Sequence, residues 1–204
     1  MTQVDFIFDF GSPNAYLAHR AIPGIEERTG VKFRYLPCLL GGIFKATGNQ
    51  APMLAFANIK NKLDYDLLEI QRFIDAHELR EFKFNPNFPV NTLLMMRGGA
   101  GLELDAPDKL DEYFETGLRA MWEEEKNLND PAVVREVFAN AGFDAEALFA
   151  RAVEPEVKQH LADNTAKAVE RGAFGVPTFY VGDEMFFGKE RLGQVEAEIL
   201  RQAS

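Results

Sequence analysis

The chain begins with an alternation of apolar and polar positions that predicts a β-strand. Apolar side chains recur at every second position of residues 4–10, the period of a strand with one buried face. Ser12 follows as a predicted helix N-cap, and Pro13 takes the first helical position. The free N–H groups at a helix start favour an anion, and ligands of open α/β sheets bind where strands end. Ser12 is therefore either an ordinary cap or a ligand-binding hydroxyl, and this pattern leaves both open.

A second strand is predicted soon after this helix. Apolar positions three and four residues apart continue the helix as far as Gly30, a predicted C-cap. Residues 31–36 then alternate again, and Pro37 closes the run. A strand, a helix and a strand at this spacing predict a βαβ unit with parallel strands.

The long middle of the chain carries helical patterns and no strand signal of comparable strength. Two amphipathic stripes predict helices that bury one face each. The acidic run at 123–125 is predicted to be a solvated face. A short helical piece is also expected within 39–50. The predicted helices cover residues 60–74, 91–100, 110–124, 131–142, 144–149 and 156–172.

Strand patterns return near the end. Residues 175–181 and 184–187 are predicted to form a hairpin across a Gly-Asp turn, followed by a helix over 190–201. Its buried face is predicted to consist of Leu192, Val195 and Leu200. Pro177 lies inside a strand-like run, which indicates an edge strand, a strand start or a cis peptide bond.

Composition narrows the class of protein. The 204 residues, 47% of them hydrophobic, suit one large domain or a small domain with an insertion, and they exclude a disordered chain. The formal charge of -10 argues against general nucleic-acid or anionic-membrane binding, although a local basic pocket stays open. No apolar run is long enough to span a membrane. Asp5 and Asp9 interrupt the apolar residues at the start, so a signal peptide is not expected. A soluble cytoplasmic protein is expected.

Candidate residues for redox or metal chemistry are few. Cys38 is the single cysteine, so an intrachain disulfide and a dithiol redox pair are both excluded. His19, His77 and His160 lack the spacing of metal ligands, so no metal site is expected. Asp9 is interpreted as a buried structural carboxylate, with tuning of a site as the alternative.

Three separated blocks carry a resemblance to a known family. Residues 8–16 read Phe-Asp-Phe-Gly-Ser-Pro-Asn-Ala-Tyr. Residues 41–49 read Gly-Gly-Ile-Phe-Lys-Ala-Thr-Gly-Asn, with Lys-Leu-Asp-Tyr at 62–65. Residues 174–179 read Phe-Gly-Val-Pro-Thr-Phe, with Phe-Gly-Lys-Glu-Arg-Leu at 187–192. With these blocks in this order, the chain resembles the 2-hydroxychromene-2-carboxylate isomerase and kappa-class glutathione transferase family, which is related to DsbA.

The resemblance implies the fold. It is an α/β thioredoxin-like domain, βαβ followed by ββα, interrupted by a large all-helical insertion. The glutathione-binding domain would comprise residues 1–44 and 173–204, and the insertion would comprise residues 45–172. Family members are often dimers, so a homodimer is expected.

The resemblance also implies glutathione as the cofactor. Ser12 would replace the first cysteine of a thioredoxin-type motif and hydrogen-bond the glutathione thiol. Val176, before a cis Pro177, would pair its backbone with the cysteinyl unit, and Glu190 would pair with the γ-glutamyl ammonium. Relatives often have Asp in place of Glu190, and the kappa class has a small polar residue in place of Lys189. The other implied glutathione contacts are Asn49, Lys62, Phe187, Gly188 and Lys189.

The implied second substrate is a small aromatic or enone acid. Lys45, Asn58 and Phe88 are the corresponding substrate-binding candidates. A tyrosine is expected where Phe88 stands, and Asn14 replaces an aromatic that is common after the Ser-Pro pair. Both differences alter the expected substrate pocket.

Three hypotheses about function remain open. The first is a glutathione-dependent isomerase, acting on an aromatic-degradation intermediate by thiolate addition, bond rotation and elimination. The second is a kappa-like transferase, in which the same thiolate stays attached to the electrophile. The third is a non-catalytic thioredoxin-like binding module.

Overall fold

One mixed four-stranded sheet forms the centre of the protein. The computed structural model describes residues 2–203. The strands are β1 (Val4–Phe8), β2 (Phe33–Pro37), β3 (Thr178–Val181) and β4 (Glu184–Phe187). They lie in the order β2-β1-β3-β4, with β1 parallel to β2 and antiparallel to β3, and β3 antiparallel to β4. The predicted βαβ unit and the predicted hairpin are both present.

Helices make up most of the remaining chain. Those before β3 are α1 (Pro13–Thr29), α2 (Leu40–Thr47), α3 (Pro52–Ala55), α4 (Lys62–Ala76), α5 (Leu93–Asp105), α6 (Leu110–Trp122), α7 (Pro131–Asn140), α8 (Ala145–Arg151) and α9 (Pro155–Glu170). The last helix is α10 (Leu192–Ala203), and short 3-10 turns cover Pro107–Lys109 and Lys189–Arg191. Eight helices, α2 to α9, thus separate β2 from β3. The division of the chain at residues 45 and 172 stays a prediction, and α2 spans position 45.

β1 is buried on both faces, so the prediction of one buried face is wrong. Phe6 lies in the larger hydrophobic cluster and stacks on Phe179 of β3, with ring centroids 5.1 Å apart. Ile7 points the other way, into a smaller cluster that includes Ile43 of α2. Helices cover both sides of this central strand, which is why apolar residues occur on both. The strand ends at Phe8, two residues earlier than the alternation indicated.

α5 runs past the glycines that were predicted to end it. Its N–H at Leu93 bonds the side chain of Asn91 at 3.1 Å, so the predicted cap is close to the real start. A Cβ at Gly98 would lie 2.3 Å from the Tyr113 hydroxyl, and one at Gly99 would lie 2.8 Å from the Phe114 ring. These glycines therefore permit close packing of α5 on α6 rather than terminating the helix.

The last helix buries Leu192 and Val195, as predicted, but not Leu200. It begins at Leu192, and Val195 and Ile199 follow at the spacing of one helix face and are buried. Leu200, which was predicted to be buried, is 49% exposed because it lies one residue beyond that face.

The acidic run after α6 is not wholly solvated, contrary to prediction. Glu123 has a side chain only 15% exposed, accepts a 2.8 Å hydrogen bond from the Tyr16 hydroxyl, and pairs with Arg20. Glu115 of α6 also pairs with Arg20 and bonds His19 at 2.9 Å. These bonds lower the pKa of Glu115 to about 2, with the His19 bond as the largest cause. The network ties α1 to α6.

No helix in residues 2–203 has the length and apolarity needed to cross a membrane.

Candidate active site

Ser12 caps α1, as predicted. Its backbone is extended (φ −107°, ψ 114°), and its hydroxyl oxygen accepts a 3.2 Å hydrogen bond from the Ala15 N–H. The residue is 5% exposed, and the first turn of the helix contains no acidic residue. The helix dipole is therefore not offset by an acidic residue within the first turn of α1.

The Val176–Pro177 peptide bond is cis and adjoins Ser12. The Ser12 hydroxyl donates to the Val176 carbonyl oxygen at 3.4 Å, across 164 residues of sequence. The proline precedes β3, so two of the three interpretations of Pro177, a strand start and a cis bond, hold together. At 3.4 Å this hydrogen bond is long, which leaves the hydroxyl able to serve a closer acceptor.

Asp9 holds the loop before Ser12 in place. Its carboxylate accepts 2.8 Å hydrogen bonds from the N–H groups of Gly11 and Leu40, and the Thr92 side chain also bonds it. Burial raises the pKa of Asp9, although these bonds act in the opposite direction. The carboxyl links the end of β1 to the start of α2, which is the structural role that the sequence interpretation favoured.

A glycine joins the cis proline to the turn after β4. The Gly188 N–H donates to the Pro177 carbonyl at 2.9 Å, and Gly188 has a φ of 94°. The positive φ favours glycine here, and a Cβ would lie 2.9 Å from Glu190 Oε2, so the carboxylate would have to shift to make room for it. Glu190 pairs with the buried Lys189.

Asn49 reaches the same end of the sheet. Its side-chain amide donates to the Phe174 carbonyl at 2.7 Å, and the rings of Phe174 and Phe187 lie 4.4 Å apart. Gly175 allows this approach, since a Cβ there would lie 3.0 Å from the Phe187 ring. A chain of direct contacts thus joins most of the predicted glutathione residues: Ser12, Asn49, Val176, Pro177, Phe187, Gly188, Lys189 and Glu190.

The remaining candidates lie in the helical segment. Lys62 pairs with Asp66 and has its ammonium 4.9 Å from the Phe56 ring centroid. Lys45 and Asn58 are exposed. Phe88, part-buried and followed by a cis proline, lies 5.8 Å from the ring of Trp122.

Two residues near the site were not among the sequence candidates. Trp122 of α6 donates its indole N–H to the Phe10 carbonyl at 2.8 Å and so supports the loop that carries Ser12. The signal for it was its position on the apolar face of α6. Asn14, in the first turn of α1, has a buried side-chain oxygen that lacks a partner among the described residues. It had been considered only as a change in the pocket wall.

Two surface clefts lie away from Ser12. One, of about 520 Å³, is lined mainly by α6, α7 and the loop after α6. The other, of about 490 Å³, lies along α4 and includes Leu67, Ile70 and Phe82. Within residues 2–203, His, Cys, Asp and Glu side chains form no group of three that could hold a metal ion.

Comparison with known proteins decides the family. Residues 3–200 match the family described as the DSBA-like thioredoxin domain. The chain belongs to this family. The α/β thioredoxin-like fold with inserted helices is therefore confirmed.

Members of two enzyme groups are similar to this DSBA-like protein over nearly its full length. 2-Hydroxychromene-2-carboxylate isomerase of Pseudomonas putida is 30% identical over 201 residues, or 97% of this chain and 94% of that protein. Human glutathione S-transferase kappa 1 is 25% identical over 197 residues, or 93% and 87%. The solved structure of a 2-hydroxychromene-2-carboxylate isomerase has a TM-score of 0.80 at 29% identity, covering 98% of this chain and 95% of that one. Pseudomonas aeruginosa DsbA, with a TM-score of 0.58 at 18% identity, covers 99% of this chain and 84% of its own and shares the fold alone. The resemblance expected from the sequence blocks is confirmed.

Proposed function

We propose that the protein is a glutathione-dependent isomerase that acts on an enone acid derived from an aromatic compound. The observation that carries the proposal is the buried Ser12 hydroxyl, held at the start of α1 beside the carbonyl that precedes a cis proline. The similarity to 2-hydroxychromene-2-carboxylate isomerases over 97% of the chain supports the reaction class.

The residues at the start of α1 fit a bound thiol. When bound, glutathione would supply a thiolate nucleophile for reversible addition to the conjugated substrate. The Ser12 hydroxyl and the N-terminal end of a 17-residue helix both stabilise a negative charge at this place. The buried oxygen of Asn14 lacks a donor among the described residues, and a bound ligand or an ordered water would supply one.

The residues around the cis proline would hold the peptide part of glutathione. The backbone of Val176 would pair with the cysteinyl unit as an added strand does. Glu190 would bind the γ-glutamyl ammonium. The other glutathione-binding residues in this proposal are Asn49, Lys62, Pro177, Phe187, Gly188 and, through its main chain only, Lys189.

The helical segment would bind the second substrate. The ammonium of Lys45 would stabilise the substrate carboxylate or a developing enolate charge. Asn58 would contribute an amide, and Phe88 an apolar wall. The proposal includes a cytoplasmic location and a homodimer, and light scattering of the purified protein measures the oligomeric state.

A kappa-like transferase is the second candidate. The same Ser12 site serves both reactions, and the similarity to human glutathione S-transferase kappa 1 over 93% of the chain favours it. Following free glutathione during turnover separates the two. An isomerase leaves its concentration unchanged, whereas a transferase consumes one glutathione for each product formed.

The Ser12→Ala variant tests the proposal. We expect this variant to bind glutathione with a raised thiol pKa, measured by thiolate absorbance, and to turn over enone acids roughly 10²–10³-fold more slowly. Loss of the cap should cost about 1 kcal/mol of stability, which chemical unfolding measures separately.

Thr29→Ala is the matched control, because Thr29 is a hydroxyl residue at the other end of α1. It should leave the thiol pKa and turnover unchanged. Wild-type turnover in Ser12→Ala would contradict the role of the hydroxyl. Absence of glutathione binding to the wild type would contradict both enzyme proposals and leave the binding module.

A further inference from the structure

Lys189 is a lysine whose charge is buried. The residue is 2% exposed and ranks among the largest fully buried side chains of the protein. A buried ammonium is costly unless it is paired, so its surroundings indicate what it does. At 1% exposure its side chain is also too enclosed to form the surface that a ligand touches.

An ion-pair partner and an aromatic ring lie beside the Lys189 ammonium, and Glu69 of α4, which pairs with Arg72, also interacts with it electrostatically. The Glu190 carboxylate pairs with it through Oε1. The ring of Phe73, from α4, lies 5.3 Å from the ammonium, a distance at which an aromatic face attracts a cation. Glu190 itself is 47% exposed along its side chain. The lysine therefore lies on the protein side of a carboxylate whose other side faces solvent.

The pair is fixed to the candidate site by backbone contacts. The Gly188 N–H bonds the Pro177 carbonyl, and the missing Cβ of Gly188 leaves room for Glu190 Oε2. One carboxylate oxygen is thus engaged by Lys189, and the second lies over the turn next to the cis proline.

We propose that Lys189 is a positioning residue that holds Glu190 and makes this subsite selective for a zwitterionic α-amino acid head group over a lone ammonium. This rests on the proposed function, because the γ-glutamyl end of glutathione carries such a head group. Glu190 alone would favour a cation. With Lys189 behind it the two charges cancel, so the attraction for an ammonium is weakened and a neighbouring carboxylate is no longer repelled.

Two glutathione analogues test the inference by calorimetry. The glutaryl analogue lacks the α-ammonium, and the 4-aminobutanoyl analogue lacks the α-carboxylate. The measured quantity is the Kd of the 4-aminobutanoyl analogue divided by the Kd of the glutaryl analogue. We expect this ratio to fall about tenfold in Lys189→Met, where Glu190 is uncompensated, and to rise about tenfold in Glu190→Gln.

Lys189→Arg keeps the charge and should keep the ratio within about threefold. Lys158→Met, at an exposed position of α9, should leave it unchanged. Opposite shifts at positions 189 and 190 support the inference. If Lys189→Met weakened the binding of glutathione and of both analogues equally, the ratio would stay constant. That result would mean that Lys189 only supports the fold, and it would overturn the inference. If the wild type binds no glutathione, the proposed function fails as well, whereas normal glutathione binding with a constant ratio overturns the charge pairing alone.

Discussion

α4 and α6 have similar sequence patterns and different surroundings. Each has apolar residues at helical spacing, and each is a regular helix of more than three turns. Eight residues of α6 are buried, whereas none of α4 is. Leu67 and Leu68 of α4 remain 51% and 45% exposed, and Phe114 of α6 contacts Phe8 of the sheet at a centroid distance of 4.6 Å. Periodicity therefore identifies a helix and its apolar face, but it does not determine what covers that face.

Truncation of a large side chain should show the largest difference in stability between α6 and α4. Trp122→Ala should destabilise the protein by about 3–5 kcal/mol, because it empties a buried site and leaves the Phe10 carbonyl without its donor. Leu68→Ala, on α4, should change stability by no more than about 0.5 kcal/mol. Denaturant unfolding measures both. A cost at Leu68 similar to that at Trp122 would show that the α4 face is covered in solution.

Adding a single methyl group gives a smaller test of the α6 packing. A Cβ at Gly117 would lie 2.4 Å from the Phe10 ring, so Gly117→Ala should cost about 1–3 kcal/mol. Gly193, in α10, has nothing within 4 Å of its Cβ position. Gly193→Ala should therefore be neutral or stabilising by up to about 1 kcal/mol. Thermal unfolding of both variants checks the pair, and equal effects would contradict the close approach of Phe10 to α6.

The ion-pair network of α6 should give the smallest effect, visible in the pH dependence. The pKa of Glu115 is lowered from 4.5 to about 2, so its pairing with His19 and Arg20 stabilises the fold above pH 4.5. This contribution should be lost as the pH falls from about 4.5 to about 2. Glu115→Gln should therefore lose less stability than the wild type over that range. Glu112→Gln, at an exposed position of α6, should keep the wild-type slope. An unchanged slope in Glu115→Gln would mean that the pairing of Glu115 with His19 and Arg20 contributes nothing to stability.

Features that depend on neighbouring residues were predictable from the sequence. The Ser12 cap, the Gly30 end of α1 and the bounds of β4 each follow from a few adjacent residues. The family resemblance added the meeting of Ser12 with Val176, which no local pattern contains.

Features that depend on distant partners were not predictable. Glu123 reads as one of three solvated glutamates, but its partners Tyr16 and Arg20 lie more than 100 residues away in sequence. The resemblance implies Lys189 only as a glutathione contact, and its burial depends on α4, which brings Phe73 next to that turn. The missed end of α5 has the same origin, because aromatic residues of α6 determine that its glycines lie inside a helix.

The position of β3 between β1 and β4 has a consequence for biosynthesis. β1 can pair with β2 as soon as residue 37 is made, but its other neighbour includes Thr178, opposite Ile7. At a translation rate of about 5–20 residues per second, one edge of β1 waits roughly 10–35 s for that partner. During this interval Phe6 lacks the ring of Phe179 on which it stacks in the finished protein. The nascent chain is therefore most exposed to aggregation until β3 leaves the ribosome and pairs with β1.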